Sequence, residues 1–307
     1  MSASTWEINC EKMEDLELPN EIIELFIKDN SPIEVTNERL EEFLIQTKEL
    51  DFSESEVIRR LAITLEKEEF KNGWKGLSQL YEFAHQKNTQ DIFLLHSWAI
   101  ATLAWIDPYQ TSDDQQRIEI AQQGEDILLQ ALALDNHNSD IHHALGLLYY
   151  NHPARFDDLT KYISKALHHF LLAPDLQIAQ LYAAHCYDDL QDWQNAYNSY
   201  LKVVAEKLLQ ESQYWQWRII KMEEQIALCA AILGREAEAK TRLSDFMTKI
   251  ELMSEDERLD LVMNFDEAVR AMEVLKDRGL IMRLKSLIQQ ENYVKRYEKE
   301  LATFLDI

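Results

Sequence analysis

The sequence contains very little glycine and proline, with 6 Gly and 5 Pro among its 307 residues. Ordinary proteins devote roughly 12% of their residues to these two types, because tight turns depend on them. A sheet protein, a dinucleotide-binding fold or a collagen-like chain would need more of both. The hydrophobic fraction of 46%, with 7 Trp, 12 Tyr and 11 Phe, excludes intrinsic disorder. The composition therefore favours a helical protein with an ordered core.

Cysteine is scarce as well, and the spacing of the three cysteines predicts neither a disulfide framework nor a zinc module. Cys10, Cys186 and Cys229 lie far apart and form no CxxC pair, which is typical of reduced thiols in a cytosolic protein. The first residues are acidic and lack the basic and apolar segments of a signal peptide. No apolar run approaches the length of a membrane span. We therefore expect a cytoplasmic protein that does not enter a membrane.

Basic residues are outnumbered, since 31 Lys and Arg stand against 55 Asp and Glu, a net charge of −24. Such a chain should repel nucleic acid and attract basic protein surfaces, although an acidic habitat would also explain the charge. Residues 1–70 hold 19 acidic and 7 basic side chains, whereas residues 270–299 hold 4 and 8. These two stretches are either solvated faces or an acidic N-terminal and a basic C-terminal face that bring copies together as a homo-oligomer.

Motifs of common catalytic and metal sites are missing: GxGxxG, the phosphate-binding P-loop, HExxH, GxSxG and DxDxDG do not occur. Six histidines fall within 44 residues: His142, His143, His152, His168, His169 and His185. Adjacent histidines on a helix point about 100° apart, so a doublet is a poor pair of metal ligands. We therefore expect no catalytic residues, no metal and no cofactor, and interpret these histidines as packing or groove-lining residues.

Apolar residues recur at helical spacing through nearly the whole chain, as at Val57, Leu61 and Leu65, and no period-two pattern lasts long enough for a strand. The pattern predicts an all-α fold. Predicted helices lie near residues 20–29, 36–50, 54–69, 73–87, 90–106, 115–134, 138–151, 158–173, 175–190, 192–209, 212–233, 235–252, 256–277 and 279–305.

One segment resembles the tetratricopeptide repeat (TPR): Ala184 is followed by Tyr187, then by Ala196, Tyr200 and Val203. Small residues are needed where two helix backbones approach closely. The same spacing recurs at Ala227, Ala230, Gly234, Ala239, Leu243 and Phe246, and upstream at Gly146, Tyr149, Ala166, Phe170 and Ala173, and at Ala99, Gly124, Leu128 and Ala131. The resemblance covers about residues 90–250 and implies antiparallel helix pairs stacked as a right-handed solenoid.

The resemblance also implies a division of the chain. Residues 1–52 would form an acidic N-terminal helical cap, residues 53–252 the TPR-like repeats, and residues 253–307 the C-terminal capping helices of one continuous solenoid. The end segments do not match the repeat, as is common for the terminal units of solenoids.

Two repeats contain insertions. Ala184 and Ala196 are 12 residues apart, whereas Gly146 and Ala166 are 20 apart and Ala99 and Gly124 are 25 apart. The extra residues fall in the polar stretches NHPARFDDLT and DPYQTSDDQQ. Surface loops tolerate insertions, but two loops at the same type of connection would also form a lip beside a groove. Both interpretations stay open.

The resemblance implies a concave groove lined by the first helix of each repeat. The inward positions are His96, His143, Tyr150, Asn151, Tyr182, His185, Asp188, Asp189, Lys221, Glu224 and Gln225. The Lys, Arg and Asn clamp with which some TPR domains hold a carboxylate terminus is missing, so the implied ligand is basic or polar. Protonation of the three groove histidines near pH 6.5 would add positive charge, and we expect a basic ligand to bind less tightly below that pH.

Trp215 and Trp217 are two residues apart and cannot both face one core from a helix. At least one is either covered by a neighbouring helix or is an aromatic anchor for a partner.

These observations predict a non-enzymatic, TPR-like adaptor that binds a basic or polar protein or peptide. A first alternative is a dedicated inhibitor, such as a toxin-neutralising immunity protein, whose acidity masks a basic target. An alternative from another class is an enzyme on a helical scaffold around the His142–His185 cluster.

Overall fold

The computed structural model describes residues 37–48, 53–54, 57–58, 60–62, 74–87, 89–104, 113–211, 216–253 and 265–290. Within these ranges the regular structure is helical and no strand occurs. The all-α prediction is therefore confirmed. The chain divides into two compact units, one up to Asp175 (unit 1) and one from Leu176 (unit 2).

The helices of each unit follow one another along the chain. Unit 1 contains α1 Asn37–Gln46, α2 Trp74–Lys87, α3 Ile92–Ala104, α4 Asp114–Leu134, α5 Ser139–Tyr150 and α6 Leu159–Leu171. Unit 2 contains α7 Gln177–Asp189, α8 Trp193–Tyr200, α9 Ala205–Glu211, α10 Gln216–Ile232, α11 Glu236–Glu251, α12 Asp266–Leu275 and α13 Arg278–Gln290. None of the described helices has the length and apolar character needed to cross a membrane.

Unit 1 is built from helix pairs whose crossing points carry glycine. Helix α3 packs on α4 and α5 packs on α6, while α5 also contacts α3 and α4. A Cβ atom at Gly124 would lie 2.6 Å from Cδ2 of Leu103, and one at Gly146 would lie 2.5 Å from Cε1 of Phe170. Both glycines occupy small positions of the predicted repeat, so the close helix approach explains why they are small.

Unit 2 repeats the arrangement with alanine at the crossings. Helix α7 packs on α8 and α10 packs on α11, and Ala184, Ala196, Ala227 and Ala239 are fully buried. Gly234, with φ of 74°, turns the chain between α10 and α11 in the left-handed region that favours glycine. Helix α12 then packs on α10, and α13 packs on α11. The helix pairs and their small residues make the fold TPR-like, as predicted.

One predicted helix is interrupted. The sequence pattern predicted a single helix over residues 192–209, but α8 ends at Tyr200 and α9 begins at Ala205. The turn between them buries Val203, and the backbone N–H of Val204 donates to Oε1 of Gln177 at 2.7 Å. A tertiary hydrogen bond from another helix thus replaces the helical bond at this point. The predicted boundaries near residues 52 and 252 stay predictions, since both adjoin stretches outside the described residues.

Candidate functional site

The predicted groove residues divide between the two units. Unit 1 carries His96, His143, Tyr150 and Asn151, and unit 2 carries Tyr182, His185, Asp188, Asp189, Lys221, Glu224 and Gln225. Unit 2 has all the predicted groove residues that are Asp, Glu or Lys.

His185 lies within a hydrogen-bond network of unit 2. Its Nδ1 atom is 2.9 Å from the hydroxyl of Tyr200 and 3.2 Å from Nε2 of Gln225. An amide nitrogen only donates, so Nδ1 is an acceptor and the neutral ring carries its hydrogen on Nε2. Burial lowers the pKa of His185 to about 3, and the charges of Arg218 and Lys221 act in the same direction. The prediction that this histidine is protonated near pH 6.5 is therefore wrong.

Lys221 and Glu224 lie inside unit 2 instead of facing a ligand. Glu224 is fully buried and Lys221 is 7% exposed. The Lys221 ammonium contacts the Glu224 carboxylate closely and lies 3.2 Å from Oε2 of Glu267. The backbone N–H of Ala268 donates to Oε1 of Glu224 at 2.7 Å. The prediction that the pair lines the groove is therefore wrong. Glu224 is buried where α12 packs on α10, and it accepts a hydrogen bond from the first turn of α12.

Asp188 and Asp189 end α7, where Asp189 is exposed and Asp188 is partly buried. Burial raises the pKa of Asp188 to about 7; Arg270 opposes this shift, whereas Glu267 and Asp189 add to it. The exposed Arg270 guanidinium also lies over the ring of Trp193, 5.5 Å from its centroid. Burial therefore disfavours the ionised form of this carboxyl, and the nearby Arg270 does not restore the ordinary pKa.

Asp188 on α7 interacts electrostatically with Asp189 and with Glu267 and Arg270 on α12, while His185 on α7 interacts with Arg218 and Gln225 on α10. The six partly buried or exposed side chains of this set are called the polar face: Asp188, Asp189, Arg218, Gln225, Glu267 and Arg270. Tyr182, which was predicted to line the groove, is nearly buried beneath it.

The two tryptophans have different outcomes. Trp215 lies outside the described residues. Trp217 is partly buried, and the guanidinium carbon of Arg218 lies 4.5 Å from its ring centroid and 5.4 Å from that of Tyr182. Arg218 Nη2 also donates to the Tyr182 hydroxyl at 3.3 Å. Trp217 therefore has a cation over its ring from its own protein, and its role as a partner anchor stays a prediction.

The groove residues of unit 1 are mainly uncharged. Burial lowers the pKa of His143 to about 3, with a further contribution from His96, and burial also lowers the pKa of His96 against the charge of Asp140. The pKa of 6.5 assumed for these two histidines is therefore too high, contrary to the prediction. Arg155 lies 5.5 Å from the centroid of the Tyr150 ring, and the exposed Asn151 donates from Nδ2 to the carbonyl of residue 147 at 3.1 Å. Tyr150 and Asn151 thus make contacts at the C-terminal end of α5, within unit 1.

The histidine doublet points in two directions, as its spacing predicted. Nδ1 of His142 is 3.0 Å from Nδ1 of His169, and Nε2 of His142 is 3.1 Å from the carbonyl oxygen of Asn136. His143 packs against Phe170, with ring centroids 6.1 Å apart. Among the described residues, no group of three or more His, Cys, Asp or Glu side chains is arranged to hold a metal ion.

The insertion between α5 and α6 is an ordered loop. Ala154 N–H donates to Nδ1 of His152 at 3.1 Å, and the His152 ring stacks on Tyr162 with centroids 4.4 Å apart. Arg155 lies over Phe156, 4.6 Å from its centroid, yet Phe156 remains 77% exposed. The corresponding insertion between α3 and α4 lies mostly outside the described residues, so the paired lip stays an open interpretation.

Sequence reasoning missed Glu267, Arg270 and Arg218. The first two lie beyond the repeat match, where the register assigns no inward positions. Lys221 and Glu224 stand three residues apart, a spacing that signals an ion pair on one helix. That spacing was the available signal that Lys221 has a partner inside the protein.

Comparison with solved structures finds matches at low sequence identity. The crystal structure of PilW, a widely conserved type IV pilus biogenesis factor, is 14% identical, covers 82% of this chain and 98% of its own, and superposes with a TM-score of 0.49. A human IFIT1 dimer with PPP-AAAA is 14% identical over 88% of this chain and 78% of its own, with a TM-score of 0.38. A monomeric IFIT1 mutant with Gppp-AAAA is 14% identical, covers 87% of this chain and 76% of its own, and has a TM-score of 0.39. No protein-family model matches the chain, and comparison with curated proteins finds no match.

Proposed function

We propose that this chain is a non-enzymatic helical-repeat protein that binds a basic or polar protein or peptide on the polar face of unit 2. The observation that carries the proposal is the state of Asp188, whose pKa is raised to about 7 first by burial and then by Glu267 and Asp189, although Arg270 opposes the shift. A cation from a partner would stabilise the ionised form of this carboxyl, so its approach is favourable. The net charge of −24 would attract such a partner over a longer range.

Support for binding rather than catalysis comes from the histidines. His185 accepts hydrogen bonds from its own protein, and His142 and His169 face each other. A general base needs a pKa near the working pH, whereas the pKa of His185 is lowered to about 3 and that of His169 to about 4, in each case mainly by burial. No cofactor forms part of the proposal.

The proposal is tested with a defined probe, a synthetic peptide rich in Lys and Arg, with a Glu-rich peptide as its counterpart. The association rate of the basic peptide should fall steeply between low and physiological salt, since charge steering is screened. The double variant Asp188→Lys/Asp189→Lys should slow association more than it speeds dissociation.

The matched control is Glu206→Lys/Glu236→Lys, which reverses two exposed carboxylates of unit 2 outside the polar face. Both double variants change the net charge from −24 to −20, because each Asp or Glu to Lys change adds two charges. Equal slowing in the two variants would assign attraction to net charge alone, as expected of an inhibitor that masks a basic target through its whole surface. Binding of the acidic peptide in preference to the basic one would refute the proposal.

A further inference from the structure

The interior of unit 2 contains two carboxylates for one ammonium. Glu224 is fully buried, Lys221 is 7% exposed, and the Glu267 side chain is 20% exposed. Lys221 Nζ contacts the first carboxylate closely and the second at 3.2 Å. With all three groups ionised, the cluster has one uncompensated negative charge, and uptake of one proton neutralises it. A buried cluster of this kind resists full ionisation.

The cluster also provides a hydrogen-bond acceptor for the N-terminal turn of α12. The N-cap residue of α12, Phe265, provides no side-chain hydrogen bond. The missing acceptor comes from α10, since Glu224 Oε1 receives the N–H of Ala268 in the first turn. Free N–H groups at a helix start need such an acceptor when they are buried. Helix α12 carries Glu267 and Arg270, so its docking on α10 places two members of the polar face.

We propose that Glu224 is a positioning residue of the polar face: with Lys221 and Glu267 it forms a latch that takes up a proton as α12 docks on α10, so that docking strengthens as the pH falls. As an account of how the polar face is regulated, this rests on the proposed function. The latch itself depends only on the contacts within unit 2.

Charged groups near the latch come from three helices. Lys221 lies beside Glu224 on α10 and Glu267 faces them from α12, and Asp188 on α7 interacts electrostatically with Glu267 and Arg270. From α11, the aromatic ring of Phe246 lies 6.0 Å from Lys221 Nζ. His185 on α7 is close to Lys221, but its pKa is lowered to about 3, mainly by burial, so it does not titrate with the latch.

The direction of the pH effect follows from the carboxyl group. Burial raises the pKa of Glu224 from 4.5 to about 7, against the opposing charge of Lys221. The docked state therefore binds a proton that the undocked state releases. Its contribution to docking is fully present below pH 4.5 and is lost as the pH rises through 7. By linkage, the docking equilibrium constant should be about tenfold larger at pH 6 than at pH 8.

Hydrogen exchange of the full-length chain, read by mass spectrometry and corrected for the intrinsic pH dependence of exchange, measures this directly. In the parent protein, opening of α12 should be about tenfold more frequent at pH 8 than at pH 6. Glu224→Gln keeps an oxygen that accepts the Ala268 N–H but removes the titrating group, so protection of α12 should become independent of pH. Glu224→Ala removes the acceptor, and α12 should lose protection at both pH values while α7 and α8 keep theirs.

The matched control is Glu273→Gln, which neutralises an exposed carboxylate on the same helix and should retain the pH dependence of the parent. Asp188→Asn should also retain it. A pH dependence that survives Glu224→Gln, or that disappears in Asp188→Asn alone, would overturn the latch.

The latch and the proposed function fail separately. If Glu224→Gln abolishes the pH dependence of exchange and the Lys- and Arg-rich peptide binds to no variant, the latch stands and the binding function does not. If the peptide binds as expected and α12 of the parent exchanges equally at both pH values, the binding function stands and the latch is refuted.

Discussion

Units 1 and 2 share the same helix pairing and both have histidines at the positions predicted to face inward, but unit 2 adds carboxyl groups there. Unit 1 has His96 and His143, whose pKa values are lowered by burial, that of His143 to about 3. Unit 2 has Asp188 and Glu224, whose pKa values burial raises to about 7. Burial disfavours the charged form of any group, so it keeps the imidazoles neutral and the carboxyls partly protonated. Near pH 7 it is therefore the carboxyl groups of unit 2 that titrate.

The largest expected effect concerns the close helix crossings, which occur within each of the two units. In unit 1, Gly146→Ala places a methyl group against Phe170, 2.5 Å from Cε1, and Phe170 is fully buried. The overlap should cost about 2 kcal/mol of unfolding free energy, even after the better helix propensity of alanine is included. Unit 2 already has Ala184 at the corresponding position, fully buried. Urea unfolding followed by circular dichroism measures the difference.

Gly279→Ala is the control, because the nearest atom to its new methyl group is an Asp277 carboxylate oxygen at 3.4 Å, an ordinary contact. It should change stability by less than about 0.5 kcal/mol. Equal stability of Gly146→Ala and the parent would show that the crossing is looser than its geometry indicates.

The crossings also show how far the sequence predicts the fold. Small residues at positions such as Gly146 and Ala184 are local signals of helix approach, and both lie at crossings as predicted. The burial of Glu224 was not predictable, since its acceptor role depends on Ala268, 44 residues away. The repeat register assigns a direction to each side chain but does not indicate which neighbours cover it. For the histidines the inward direction stays a prediction, whereas the protonation of His143 and His185 was predicted wrongly, because burial lowers their pKa values.

The next effect is a pH dependence of the unfolding free energy that Asp188 of unit 2 should cause. The pKa of Asp188 is raised from 3.8 to about 7, so its contribution to stability is fully present below pH 3.8 and is lost as the pH rises through 7. Asp188→Asn removes the ionisation, and the variant should be more stable than the parent at pH 8 by about 1–2 kcal/mol, a fraction of the shift because Arg270 loses a partner. At pH 5 the two proteins should be closer in stability. Urea unfolding at both pH values tests this; an equal difference at the two would contradict it.

A smaller effect is expected in the binding of the Lys- and Arg-rich peptide. A cation that pairs with ionised Asp188 displaces its proton, so affinity should be about tenfold lower at pH 6 than at pH 8. His185→Asn keeps an acceptor near the position of Nδ1 and should leave this profile unchanged, whereas Asp188→Asn should flatten it. The measurements are made in a Glu224→Gln background, which removes the opposing pH dependence of the latch.

Calorimetry in two buffers of different ionisation enthalpy would show the proton released on binding. If the pH profile of binding flattens in His185→Asn and not in Asp188→Asn, the His185 imidazole and not the Asp188 carboxyl causes the pH dependence.

The smallest effect concerns the hydrogen bond between His142 and His169 in unit 1. The carbonyl oxygen of Asn136 only accepts, so Nε2 of His142 carries hydrogen and its Nδ1 accepts from Nδ1–H of His169. Nitrogen-15 NMR should therefore find the Nε2–H form of His142 and the Nδ1–H form of His169. His169→Leu should cost about 1 kcal/mol of unfolding free energy, because it leaves the buried Nδ1 of His142 without a donor. His169→Asn, whose Nδ2 occupies nearly the place of Nδ1, should cost less. Opposite tautomers in the spectrum would mean that the pair is held by packing alone.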